Sequence, residues 1–155
     1  ITKLQPDGTV MKIFDATQEY LKRKTPLVIV AGHNYGCGSS RDSAAKGVAL
    51  LGVKAVIAQS FERIHRTNLV GMGVVPLQFE DGVSAETLGL DGSETFDLPD
   101  LAAHIGVTAK VPCVINRTDG TSETITVTAR LDTEEDYEYW RSGGILPAVW
   151  REALA

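Results

Sequence analysis

The sequence predicts a single α/β domain in which a small parallel sheet comes first and antiparallel strands follow. Short apolar runs rich in β-branched residues, Leu27–Ala31 (LVIVA), 55–58 (AVIA) and 74–79 (VVPLQF), alternate with helical stretches, as parallel strands and their crossovers do. From Glu80 onward the pattern changes to short polar segments and turn signals: Glu80-Asp81-Gly82, Asp91-Gly92 and Asp119-Gly120. At 155 residues, 43% hydrophobic and 23% charged, the chain can bury one sizeable core.

The elements follow in order. Pro6-Asp7-Gly8 reads as a turn. Ile13–Lys22 sets Ile13, Ala16, Thr17, Tyr20 and Leu21 on one face of a surface helix, with a basic end at Lys22-Arg23-Lys24. Thr25-Pro26 breaks that pattern before Leu27–Ala31, which has the look of a strand buried on both faces. Residues 42–51 (DSAAKGVALL) favour a helix packed closely on the sheet, with Gly52 as its C-cap. The next strand, 55–58, then implies a right-handed parallel crossover. Residues 60–69 (SFERIHRTNL) predict a helix with Ser60 as N-cap, Phe61, Ile64 and Leu69 inward, and a Glu62–Arg66 pair. Gly71 and Gly73 end it. Pro76 lacks an N–H, so 74–79 is expected at a sheet edge or a bulge.

In the second half, 95–98 (TFDL) and 111–116 (VPCVIN) read as strands. Residues 116–121 form a hairpin turn leading to 123–129, a half-exposed antiparallel strand. The acids of 132–135 open a helix through Tyr137 and Trp140 that Ser142-Gly143-Gly144 stops, and 147–155 make a terminal helical turn or two. Trp140 and Trp150 read as packing anchors.

Charge and cysteine usage narrow the function. A net charge of -5 and a pI near 5.2 oppose a nucleic-acid surface, whose footprint is basic. No apolar run approaches the roughly 20 residues of a membrane helix, and nothing at the start reads as a signal peptide. Ile1 is not a start residue, so the natural chain is expected to continue upstream. Cys37 and Cys113 require no disulfide framework, and a reducing, cytoplasmic setting is expected. His33, His65 and His104 lack metal-site spacing. His65 reads as a catalytic imidazole or as a satisfied structural residue beside Asn68, and the pattern favours the second.

The most informative stretch lies between Leu27–Ala31 and the helix after it. Gly32, Gly36 and Gly38 punctuate a polar loop ending in Ser39-Ser40-Arg41, at the carboxyl end of a parallel strand, where open α/β sheets bind ligands. The first turn of a helix has unpaired N–H groups and a partial positive charge, which attract anions. Gly36 and Gly38 permit positive φ and a close approach to backbone, and Arg41 offers a fork of donors to a carboxylate or phosphate. A serine here sits in a field that stabilises its alkoxide. An ordinary N-cap stands as the alternative reading, and Cys37 as a small residue filling a tight turn. The loop has neither a Gly-Lys-Ser/Thr ending nor a G-x-G-x-x-G spacing, which disfavours phosphate nucleotides.

Residues 35–42 (YGCGSSRD), 44–47 (AAKG), 60–69, 71–77 (GMGVVPL), 131–133 (LDT) and 142–146 (SGGIL), in that order, resemble the C-terminal domain of aconitases over nearly the whole chain. The likeness is to the aconitase A type and to iron–sulfur 2-methylcitrate dehydratases. Small subunits of isopropylmalate dehydratase share Gly-x-Gly-Ser-Ser-Arg, but their usual opening segment is missing here. The resemblance implies a swivelling β/β/α three-layer domain over 1–155, one part of a larger hydro-lyase, with a small parallel sheet and an antiparallel second layer. It implies Ser39 as catalytic base, Ser40 as a substrate-binding residue that hydrogen-bonds the substrate or its neighbour, Arg41 as a carboxylate clamp, and Gly36, Cys37 and Gly38 as the site loop.

The implied cofactor is a 4Fe–4S cluster ligated outside this chain, because two separated cysteines cannot hold one. The implied partners are cluster-bearing domains and a tricarboxylate: citrate, isocitrate, cis-aconitate or 2-methylcitrate. The 155 residues alone are expected to fold without turning over substrate. Two alternatives remain: a natural small subunit of a two-subunit dehydratase of the isopropylmalate type, and a non-catalytic RNA-binding or assembly module. The acidic charge and the lack of an aromatic-basic stripe oppose RNA. Residues 66–68 and 90–95 lean toward the methylcitrate branch, while Ser43 departs from the Trp that relatives often carry.

Overall fold

The computed structural model describes residues 1–38 and 41–154, with Arg41 described by its backbone alone. Strands β1 (Thr2–Leu4) and β2 (Thr9–Met11) pair as a small antiparallel hairpin around the Pro6–Gly8 turn, and α1 (Ile13–Lys22) follows. The main sheet has six strands in the order β3-β4-β5-β8-β7-β6. β3 (Leu27–Ala31), β4 (Val53–Ala58) and β5 (Val75–Phe79) are parallel, joined by α2 (Arg41–Leu50) and α3 (Arg63–Gly71). β6 (Thr95–Asp97), β7 (Lys110–Asn116) and β8 (Ser122–Ala129) are antiparallel, with a four-residue helix, α4 (Leu101–His104), after β6. Helices α5 (Glu134–Ser142) and α6 (Ile145–Leu154) end the chain. Among the described residues no helix is long and apolar enough to cross a membrane.

The parallel first half and antiparallel second half are present as expected. Their junction is the pairing of β5 with β8, Leu77 opposite Ala129 and Phe79 opposite Val127. Alternation along the strands sorts the core into two faces. On one, Leu27, Ile29, Ala31, Val53, Val56 and Ala58 meet Ala45 and Val48 of α2 and Leu69 of α3. On the other, Ala55, Ile57, Val75, Leu77 and Phe79 share one cluster with Val111, Cys113, Val127 and Ala129. A cleft at the start of β4 and β5 is lined by Ala55 and Val75 together with Leu98 and Leu101 from the far end of the sheet. The antiparallel half thus folds back over the parallel one, as the β/β/α layering requires.

Four local expectations are corrected. Leu27–Ala31 is only partly buried, because β3 is the edge strand; the strand covered on both faces is β4. Pro76 is not at an edge, for β5 lies inside the sheet, opposite Val56 of β4. Its missing donor is tolerated one residue past the end of β8. Arg130 N–H donates to the Pro76 carbonyl (2.8 Å), the return bond is impossible, and the Arg130 carbonyl accepts from Arg66 Nη1 instead (2.8 Å). Arg66 is not held by the expected Glu62 pair: it is buried, with Nη1 2.9 Å from Asp136 Oδ2 and Nε 3.3 Å from Asp132 Oδ2, both at the start of the α5 region. Trp150 is 66% exposed on α6 and anchors no core, whereas Trp140 packs against the cluster of the second face.

The Arg66 cluster gives stability a pH dependence. Burial pushes the Asp132 carboxyl up, but the Arg130 and Arg66 guanidiniums outweigh it and hold the group below its ordinary value. A depressed folded-state value means stabilisation that is complete above the unfolded-state pKa and lost as pH falls through the folded one. Asp132→Asn is therefore expected to melt below the parent protein at neutral pH, and the gap should narrow below about pH 4. A gap that stays constant over that range of thermal melts would contradict the pairing. The two free cysteines supply a second test. Cys113 is fully buried on β7, and burial, with the nearby Asp97 charge, pushes its thiol up to about 11; Cys37 is exposed. At pH 8 about one Cys113 in a thousand is thiolate even before access is counted. Iodoacetamide should label Cys37 in the native protein and Cys113 only after unfolding, as peptide mass spectrometry would read.

Candidate functional site

The loops leaving β3 and β4 run side by side past the carboxyl ends of the strands. Gln59 N–H donates to the Gly32 carbonyl (3.1 Å), Tyr35 N–H to Ser60 (2.9 Å) and Glu62 N–H to Tyr35 (2.9 Å). Tyr35 and Phe61 form a parallel bridge, so strand pairing resumes after the strands themselves have stopped. Ser60 Oγ accepts from Asn34 N–H (2.8 Å). Ser60 therefore secures the glycine loop instead of capping α3, and the cap is Glu62, whose Oε2 accepts from His65 N–H (2.8 Å). Residues 59–61 stay extended because the neighbouring loop supplies their hydrogen-bond partners. The helix begins at Arg63, and its inward face is His65, Arg66, Leu69 and Val70, while Ile64 is 48% exposed.

Two backbone positions shape the loop. Asn34 has φ 55°, a left-handed conformation that asparagine accepts, and Cys37 N–H donates to the Asn34 carbonyl (3.0 Å) to close a turn. Gly36 has φ 86°, and a β-carbon placed on it would lie 2.2 Å from carbons of the His65 ring. No other residue fits there. Gly38 takes no positive φ and has open space around it, so the demand for glycine falls on Gly36. His65 is 2% exposed, and Tyr35 packs edge-on against it, with ring centroids 5.3 Å apart. Phe61 meets Tyr35 at 6.0 Å and 84°. Burial pushes the Tyr35 phenol up. Cys37 and Gly38 face solvent.

α2 begins directly after this loop, with Asp42 in its first turn and Ala45 completely buried against the sheet. Ser39 and Ser40 lie outside the described residues, as does the side chain of Arg41; along the chain they fall between Gly38 and the first turn of α2. Among the described residues, no group of three or more His, Cys, Asp or Glu could hold a metal ion. With one thiol in the core and the other on the loop, those residues do not fit an iron–sulfur cluster. Glu62, Tyr35 and His65 were missed as site-building residues from sequence. The one available signal was the spacing Glu62-x-x-His65, which suits a side-chain cap at the start of a helix.

The chain has relatives on both counts, sequence and shape. It is 50% identical to aconitate hydratase A of Legionella pneumophila over 152 residues, 98% of this chain and 17% of that protein. It is 47% identical to aconitate hydratase A of Escherichia coli and 47% identical to 2-methylcitrate dehydratase (2-methyl-trans-aconitate forming) of Shewanella oneidensis, each over 99% of this chain and 17% of the relative. The chain thus spans about one sixth of the length of these curated relatives. Among solved structures, a 3-isopropylmalate dehydratase chain from Methanocaldococcus jannaschii superposes with a TM-score of 0.62 at 25% identity, covering 97% of this chain and 84% of that one. The family model described as the aconitase C-terminal domain matches residues 2–82. That match takes in more than half of the chain, including β1 to β5 and the glycine loop, and the chain belongs to the aconitase C-terminal domain family.

Proposed function

We propose that this chain is the swivel domain of an iron–sulfur hydro-lyase that removes water from, or adds it to, a small tricarboxylate, as aconitate hydratase or 2-methylcitrate dehydratase. The observation that carries the reading is the loop pinned at the carboxyl ends of β3 and β4 and followed along the chain by the first turn of α2. The names of the relatives supply the reaction class. The cluster is assigned to parts of the full-length protein outside this chain, and a cytoplasmic location accords with an exposed, unpaired Cys37.

In such a dehydration, a proton leaves a carbon beside a carboxylate and hydroxide leaves the neighbouring carbon. That proton is weakly acidic, so its base must be strong and shielded from water. On this reading Ser39 is the base: its alkoxide is supported by the free N–H groups and dipole at the start of α2. Ser40 hydrogen-bonds the substrate, and Arg41 holds a carboxylate through a two-pronged contact that a lysine cannot reproduce. Gly36, Cys37 and Gly38 carry the chain into that position. The departing hydroxide is handled outside these residues.

One observation favours a second reading. The Methanocaldococcus jannaschii chain is covered to 84%, so a domain of this size can be nearly a whole polypeptide. A natural small subunit would migrate near 16.7 kDa on a denaturing gel of native material, whereas a fused enzyme like the curated relatives would be about six times larger. The catalytic reading is tested in the full-length, cluster-reconstituted protein on both citrate and 2-methylcitrate. Ser39→Ala should lower kcat by about 10²–10⁴ with KM nearly unchanged. Arg41→Lys should mainly raise KM, about tenfold or more. Normal turnover in Ser39→Ala would remove Ser39 from the role of base.

A further inference from the structure

We propose that His65 is a positioning residue for this reaction: its buried ring is the seat on which Gly36 rests, and it fixes how the loop delivers Ser39. The inference builds on the reading of Ser39 as base. Its geometric basis is the approach of Gly36 to this side chain, so close that a β-carbon there would lie 2.2 Å from two ring carbons and 2.4 Å from the His65 Cβ. The backbone of the loop packs directly against His65 along Cβ, Cγ and Cδ2, and the Tyr35 ring also packs on the imidazole, centroids 5.3 Å apart.

The seat itself does not depend on the loop. His65 shares the inner face of α3 with Leu69 and Val70, both in the core, and with Arg66, which is tied to Asp132 and Asp136. Its backbone N–H is held by Glu62. The loop, by contrast, is exposed at Cys37 and Gly38, and a β-carbon on Gly38 would touch nothing within 4 Å. Inward movement is stopped by His65, and outward movement by the bonds of Tyr35 to Ser60 and Glu62. Gly36 lies within the Asn34–Cys37 turn, and Ser39 follows it by three residues along the chain.

This arrangement separates turnover from binding. Misplacing a reacting group by about 1 Å can cost on the order of 10²-fold in rate. The backbone of Arg41 belongs to the first turn of α2, a helix seated on the sheet by the fully buried Ala45. His65 is 2% exposed and lies against the Gly36 backbone, so the role proposed for it is to act through the loop, as a positioning residue.

The test uses the full-length protein carrying His65→Ala or His65→Phe, with cis-aconitate as substrate and amide hydrogen exchange read by mass spectrometry. In His65→Ala, amides of 32–38 should exchange about tenfold faster or more while those of β4 stay unchanged. Turnover per active site should fall about 10- to 100-fold, with KM changed by less than about threefold. His65→Phe, which restores a flat ring, should recover most of both. Unchanged loop exchange in His65→Ala would overturn the proposal, as would equal loosening of β4 or a His65→Phe no better than His65→Ala. If His65→Ala does not fold, His65→Leu, which fills the space without a flat face, is read by the same criteria. Loop exchange does not depend on turnover. A loosened loop in His65→Ala alongside a fully active Ser39→Ala would therefore refute Ser39 as base while leaving His65 as the seat.

Discussion

The pairing of β3 with β4 that resumes beyond Ala31 and Ala58 is the constraint on which the functional end of the molecule depends. Parallel strands ordinarily part at their carboxyl ends and leave their loops to fold alone. Here the bonds at Gly32, Tyr35 and Glu62, and the Ser60 hydroxyl on Asn34, bind the two loops together. From Gly32 to Tyr35 the glycine loop is consequently a short extension of the sheet. It then meets a wall at His65, and only a glycine at 36 lets the chain pass. A loop so held can bring a nucleophile or base to a defined place without side-chain ligation of its own.

α3 joins that end to the rest of the fold. Its first turn carries Glu62 and His65 beneath the loop, its middle presents Leu69 and Val70 to the core, and Arg66 reaches across to Asp132 and Asp136. A buried ion pair of this kind adds little net stability over an apolar substitute, but losing one partner leaves an uncompensated charge, at a cost of about 3–5 kcal/mol. Arg66 also takes the carbonyl that Pro76 leaves unpaired on Arg130. The antiparallel half thus bears on the site through α3, by fixing the helix whose first turn supports the loop.

Much of this was legible in the sequence. Leu27–Ala31, 55–58 and 74–79 were readable as strands from β-branched runs, and Asp119-Gly120 as a hairpin from its turn chemistry; β7 and β8 flank that turn with Asn116 opposite Ser122. The glycine loop after β3 was readable from its punctuation, while Ser39, Ser40 and the side chain of Arg41 lie outside the described residues. Local pattern could not convey which partner each polar group would choose. Ser60 is a good N-cap by type, but the backbone of Asn34 took its hydroxyl; Glu62 lies one turn from Arg66, but acids 66 and 70 residues away took the guanidinium. Edge or interior placement is likewise set by sheet order, so β3 and Pro76 were misplaced in opposite senses. Gly36 was recognised for its freedom and His65 as a structural histidine, but their contact was invisible because it is tertiary.

On the proposed reading, the fold supplies a rigid rear wall and the chemistry happens at the three residues that follow it. That reading also requires water to be kept from Ser39, and it assigns the facing surface to parts of a full-length protein outside these residues. The measurement that bears most directly on this claim is a crystal structure of the full-length protein with a tricarboxylate bound. The account predicts Ser39 Oγ within about 3.5 Å of the carbon that loses its proton, with Arg41 paired to a substrate carboxylate. A substrate held with Ser39 turned away from that carbon, and Arg41 contacting no carboxylate, would contradict it.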